Sequence, residues 1–138
     1  MIDLSSLKPG LIGSADLLVG TEHTAPRVGS GMVAVLATPM MINVIEAAAL
    51  AAVEHLLPPG HQSLGIHLDV RHFAGTPVGM RVQATAELIG VDGRTLTFRV
   101  AARDDREPIG DGTHQRVVVN VARFDGRVQR KLAPGSAD

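Results

Sequence analysis

Residues Leu36 to Leu57 read LATPMMINVIEAAALAAVEHLL, a run apolar almost throughout that nevertheless holds Glu46 at its middle. No other charged residue lies between Arg27 and Glu54. Thr38 before Pro39 is a helix start, because a Thr N-cap accepts from the backbone N–H of Met40 or Met41 and a Pro at the first helical position loses no bond. The stop is Leu57-Pro58-Pro59-Gly60. Between these limits the helix is apolar around nearly its whole circumference until Glu54 and His55, so other structure must enclose it. Interruptions at Pro39, Asn43 and Glu46 make it a buried core helix in this reading, not a membrane span.

The covering material follows in the chain. In MRVQATAELI, Met80, Val82, Ala84, Ala86 and Leu88 alternate with Arg81, Gln83, Thr85 and Glu87, the period of a half-buried strand. Asp92-Gly93 marks a tight hairpin, after which Leu96, Phe98, Val100 and Ala102 share one face of TLTFRVAAR. A third run, HQRVVVNVARF, follows the polar turn RDDREP. Ahead of this meander SLGIHLDVRHF alternates as well, and LIGSADLLVGT near the start is a weaker strand. The order is strand, long helix, four strands. An α+β chain in which one curved antiparallel sheet wraps a single central helix satisfies both patterns, and that is the hotdog fold. Residues 1–138 form one domain in this reading, with 127–138 a partly disordered tail.

Composition narrows the function. A formal net charge of −1 offers no broad attraction to nucleic acid or anionic lipid, and 2% aromatic residues leave little for stacking bases. Cys is absent, which excludes disulfides, thiolate metal sites and a cysteine nucleophile. The start MIDLSSLKPG lacks the basic and apolar parts of a signal peptide, so a cytoplasmic protein is expected.

Strand parity places Leu64, Ile66, Leu68, Val70 and His72 on one face of SLGIHLDVRHF, turned toward the helix. A buried Glu46 and an inward His72 are therefore expected in one layer, poised for proton transfer or simply satisfying one another. Thr38 lies eight residues before Glu46, about 12 Å along a helix, too far to touch it directly. Its hydroxyl has a capping duty, and it can also donate to a ligand beside the free N–H groups of the helix start. His67 and His72 fall on opposite faces and have no companion at ligand spacing, so no metal site is expected. His23, His55, His61 and His114 read as surface or turn residues. Met32, Met40 and Met41 read as core filling. RVQRK, with Arg123 nearby, offers a phosphate contact, though a solvated tail is the default.

The segment LATP ahead of Glu46, together with SLGIHLDVRHFAGTPVGM, IGDGTHQRVVVNVARF and VQRK, resembles the fluoroacetyl-CoA thioesterase family of hotdog enzymes from about Pro9 to Lys131. The resemblance implies hydrolysis of an acyl-CoA thioester at a homodimer interface, with no cofactor beyond the coenzyme A of the substrate. It implies a catalytic group of Thr38, Glu46 and His72, backbone contact at Gly65, and Arg116 beside the substrate. The family's segment before the catalytic Thr is longer and contains Phe, whereas TEHTAPRVGSGMVAVLATP has none. A different short or medium acyl group is accordingly expected. Two rival readings are a non-catalytic acyl-CoA-binding dimer and a hotdog hydratase, the latter opposed by Ala51 where a hydratase motif places His. Thr, Glu and His together favour an enzyme, since binding alone needs no proton-transfer pair.

Overall fold

The computed structural model describes residues 2–135. Strand β1 (Ile12–Leu18) leads through a short helix α1 (Ala25–Val28) to the long helix α2 (Thr38–Val53). Four strands follow, β2 (His61–His72), β3 (Arg81–Asp92), β4 (Thr95–Asp104) and β5 (Pro108–Asn120), then a C-terminal helix α3 (Val121–Gln129). All pairings are antiparallel, in the order β1-β3-β4-β5-β2. The strand after the helix thus occupies the far edge of the sheet, and its outer edge has no neighbour among the described residues.

The alternation read in β3 and β4 is borne out from Val82 onward, while Met80 lies just before β3 and is half-buried. Val82, Ala84, Ala86, Leu88, Leu96, Phe98, Val100 and Ala102 are all buried and pack on Met41, Val44, Ile45, Ala48, Ala49, Ala52 and Val53 of α2. Burial of this kind is worth ~25 cal/mol per Å² of apolar surface and holds the layers together. Gly93, at φ +60°, makes the two-residue turn between them. At Gly13, β1 crosses so close to α2 that a Cβ would overlap the Ala48 carbonyl and the Ala52 nitrogen. Both obstacles are helix backbone, so Gly13→Ala is expected to destabilise the fold by about 1–3 kcal/mol or more, read as a lowered denaturation midpoint.

Four features depart from the sequence reading. First, α2 is not enclosed all round: Asn43 and Ala47 are exposed and Glu46 and Leu50 half-buried, a stripe that the chain leaves open. The meander covers one side of a helix, and the helix circumference exceeds what five strands from one chain reach. Second, Ala37, not Thr38, is the N-cap, and its carbonyl accepts from the N–H groups of Met40 and Met41 at 3.0 and 3.1 Å. The Thr38 side chain makes no capping bond. Third, β2 carries a bulge at Ile66, between Gly65 and His67, that reverses its sidedness. Ser63 and Gly65 face inward before it and Leu68, Val70 and His72 after it, so Leu64 and Ile66 do not share the face of His72; Ile66 is 53% exposed. Fourth, β5 ends at Asn120, whose side-chain oxygen accepts from the Arg123 N–H at 3.0 Å and starts α3. Residues 127–132 complete that helix and a 3-10 turn, while 136–138 of the expected tail lie outside the described residues.

Candidate active site

The start of α2 and the end of β2 meet at the first half of the site. Thr38 Oγ1 and His72 Nδ1 share a hydrogen bond of 2.8 Å, in which the hydroxyl is the donor when the ring carries its proton on Nε2. With capping left to Ala37, the hydroxyl has no other hydrogen bond among the described residues. Burial pushes the His72 pKa below its ordinary value, which keeps the ring neutral near neutral pH, and the Nε2–H tautomer of that ring leaves the Nδ1 lone pair to the hydroxyl. His72 Nε2 is buried without a hydrogen-bond partner among the described residues, an arrangement that in native proteins calls for a functional explanation. Both side chains open onto a cleft of about 340 Å³ walled by Met32, Val33, Val35, Leu36 and Phe73. Met32 is 90% exposed there and fills no core space, whereas Met41 is buried and Met40 packs against the core.

The second half is a polar network between α2, β2 and β5. Arg116 projects inward from β5 opposite Gly65, is 5% exposed, and has nearly all its donors committed. Its Nε donates to Ser63 Oγ at 2.8 Å and its Nη2 to the Ser63 carbonyl at 3.0 Å. Ser63 is held in turn by Glu54, whose carboxylate accepts from the Ser63 N–H and hydroxyl at 2.9 and 2.7 Å. The remaining nitrogen, Nη1, donates to Glu46 Oε2 and to His114 Nε2, each at 3.1 Å. His114 is fully buried, stacks on Phe98, and directs Nδ1 to the His67 carbonyl at 2.8 Å. Only one tautomer satisfies every contact: Nδ1–H donates to the carbonyl and the Nε2 lone pair accepts from Arg116. The network therefore delivers Glu46, the one half-buried carboxylate of the open α2 stripe, in a fixed position.

Burial, then the Arg116 charge, holds the His114 pKa below the ordinary 6.5. The unfolded chain takes up that proton first as pH falls, and the folded state then loses stability as pH drops through the lowered folded-state value. The stabilising contribution is complete above about pH 6.5 and disappears on the acid side. Melting curves from pH 8 down to 5 are expected to show it, with a shallower slope in His114→Gln. Gly65 has a comparable exactness of fit: a Cβ there would sit 2.5 Å from Glu46 Oε2 and 3.2 Å from His114 Cε1. Glu46 is the flexible partner and yields, so Gly65→Ala is expected to cost under about 1 kcal/mol of stability yet reduce turnover about tenfold or more, because misplacing a positioned group is catalytically expensive. Paired melting and rate measurements check this.

The five sequence candidates thus fall into two sets. Thr38 joins His72, and Glu46 joins Gly65 and Arg116, but one protomer does not bring Glu46 to His72. Their anchoring pairs on the sheet, Gly65 with Arg116 and His72 with Gly110, lie ~20 Å apart along β5 at ~3.3 Å per residue. His114, Ser63 and Glu54 escaped the sequence reading. The parity of THQRVVV, which sets His114 beside Arg116 and Val118, carries the first; nothing in spacing alone couples Glu54 to Ser63 across the Pro-Pro-Gly turn. Among the described residues no cluster of three His, Asp or Glu side chains suits a metal ion.

Residues 19–122 match the family model described as FlK, fluoroacetyl-CoA-specific thioesterase. The chain belongs to this thioesterase family. A fluoroacetyl-CoA thioesterase from Streptantibioticus cattleyicolor is 43% identical over 101 residues, which cover 73% of each chain. The solved structure of the fluoroacetyl-CoA thioesterase FlK aligns at 35% identity with a TM-score of 0.86, covering 91% of this chain and 97% of that one. A thioesterase superfamily member from Thermus thermophilus aligns at 26% identity with a TM-score of 0.85, over 95% of this chain and 97% of its own. These FlK-family and superfamily neighbours establish the hotdog architecture. In this FlK-family chain the helix inside the curved sheet is α2, and it contributes Thr38 to one of the two side-chain clusters and Glu46 to the other.

Proposed function

We propose that this chain hydrolyses acyl-CoA thioesters with short or medium acyl groups. The observation that carries the reading is the Thr38–His72 hydrogen bond at the mouth of an apolar cleft, on a chain of the FlK thioesterase family. A hydroxyl bonded to a neutral imidazole is an activated nucleophile. Thr38 Oγ1 attacks the thioester carbonyl carbon while its proton passes to His72; the C–S bond breaks and the thiolate takes that proton. Water, deprotonated by His72, then cleaves the acyl–Thr38 ester to release the acid and restore the hydroxyl. Water, the acyl-CoA and the chain itself suffice, so no cofactor enters. Met32, Val33 and Phe73 give the acyl group an apolar wall that admits more than two carbons.

The working unit in this proposal is a homodimer. The outer edge of β2 is 12 residues of strand unpaired among the described residues, with Ile66 exposed along it and Phe73 exposed just past its end, a template for pairing with its own copy. Antiparallel pairing of two β2 strands, centred between Gly65 and His72, sets His72 of one protomer beside Gly65 of the other. That arrangement covers the open stripe of α2 and supplies Glu46 to the orphaned His72 nitrogen across the interface. Thiol release across acetyl, fluoroacetyl, medium-chain and aryl CoA esters tests the reading. Turnover confined to a short or medium class supports it. No turnover, with CoA esters still raising the melting temperature, replaces it with a ligand-binding dimer.

A further inference from the structure

A second buried polar pair lies outside both halves of the site. Thr76, in the connection from β2 to β3, is fully buried, and Asp104, the last residue of β4, is 5% exposed. Thr76 Oγ1 donates to Asp104 Oδ2 at 2.9 Å. The other oxygen, Oδ1, accepts from the backbone N–H groups of Arg106 and Glu107 at 2.8 and 3.0 Å and shapes the β4–β5 turn. Asp104 makes no salt bridge among the described residues, so these neutral donors are what compensates its buried carboxylate. The turn employs Oδ1 alone. The bond from Oδ2 reaches 28 residues back along the chain and serves something other than the turn.

What it holds is the backbone beside the cleft. The Thr76 carbonyl accepts from the Leu36 N–H at 2.9 Å. Leu36 stands two residues before Thr38, and Thr76 stands four after His72. Together with the Thr38–His72 hydrogen bond, the Leu36–Thr76 bond closes a ring through residues 36–38 and 72–76. The opposite edge of the segment ahead of α2 is fixed as well, by the bridge between Thr24 and Leu36 and by the Ala37 N–H, which donates to the His23 carbonyl at 2.9 Å. No side chain caps α2, so these backbone bonds are what orients its first residue. A hydroxyl and an imidazole stay 2.8 Å apart only while the two segments keep their spacing, and a displacement of 1 Å costs about 10²-fold in rate. We propose that Thr76 and Asp104 are positioning residues that fix the distance between Thr38 and His72 by anchoring this ring to the β4–β5 turn. This rests on the reading of Thr38 and His72 as the reacting pair and adds the support that neither residue supplies for itself.

The test is Thr76→Val made in wild type and in Thr38→Ala, assayed for thioester hydrolysis well below the melting temperature of each protein. In wild type the substitution is expected to lower kcat about tenfold or more, with Thr76→Ser restoring most of the loss; in Thr38→Ala it is expected to lower the residual rate less than about twofold, since no hydroxyl remains to be misplaced. An equal loss in both backgrounds, or no loss in wild type, overturns the proposal. Thr76→Ala, which leaves room for a water beside the Asp104 carboxylate, is the second variant should Thr76→Val not fold, and the same pattern is expected of it. Heteronuclear NMR of the histidine ring nitrogens, with His72 assigned by comparison with His72→Gln, gives a readout that needs no turnover. The His72 Nδ1 resonance of Thr76→Val is expected to leave its wild-type position and move to that of Thr38→Ala, where the bond is absent. A resonance that stays at the wild-type position rejects the positioning role, whether or not a thioester is cleaved.

Discussion

Thr38→Ala is expected to lower kcat for thioester hydrolysis by about 10²–10⁴-fold while leaving the melting temperature within a degree or two of wild type. The separation follows from the backbone geometry. The carbonyl of Ala37 satisfies the first N–H groups of α2, so the Thr38 hydroxyl can be removed without uncapping the helix. Thr38→Ser restores the hydroxyl and is expected to recover most of the rate. His72→Ala should match Thr38→Ala, and the double variant should be little worse than either, because two residues acting as one unit lose their effect once. Pre-steady-state assays of thiol release, with melting curves on the same samples, measure both sides. A Thr38→Ala enzyme retaining wild-type kcat would remove the hydroxyl from the mechanism and leave direct attack by water.

Two inactive proteins are expected to regenerate an active one when mixed. If His72 of one protomer works with Glu46 of the other, a Thr38→Ala chain and a Glu46→Gln chain each form dead homodimers. Their heterodimer carries one site with both lesions and one with neither. After co-refolding, half the dimers are mixed and half of their sites are intact, so about a quarter of wild-type activity returns. A site built within a single chain restores none, since every site then keeps one lesion. Assay of the pure heterodimer, isolated with different affinity tags on the two chains, decides between the arrangements.

Much of this architecture is written in periodicities that a reader can count. The burial of Val82 to Leu88 and of Leu96 to Ala102 follows from strict alternation, and the Ala-rich α2 from a Thr-Pro start and a Pro-Pro-Gly stop. Those features depend on neighbours in sequence. The pairing of Thr38 with His72 does not, because it turns on which residue caps α2, a matter of one position that Thr-Pro leaves open. Glu46 was legible as an anomaly, a lone carboxylate in an apolar run, but its partner was not. Parity turned His72 inward, as observed, but says nothing of distance along the sheet, which keeps Glu46 and His72 apart within one chain; the extra residue at Ile66 hid the inward turn of Ser63 and Gly65 instead. Arg116 entered through family resemblance, and the Glu54–Ser63 brace beneath it needed coordinates, since it joins a helix end to a strand across a turn.

That extra residue has a consequence for how such a chain can change over time. Gly65 and His72 are an odd number of positions apart, yet both must look the same way, and only a wedge inserted between them reconciles the two demands. The side chain at Ile66 points away from both half-sites, so its identity is nearly free as far as the protomer is concerned. Its presence is not. Loss of one codon there would rotate half the strand through half a turn and swing Ser63 and Gly65 out of register with Arg116, while the composition stayed almost unchanged. Drift by substitution is open at this position, and drift by length is closed.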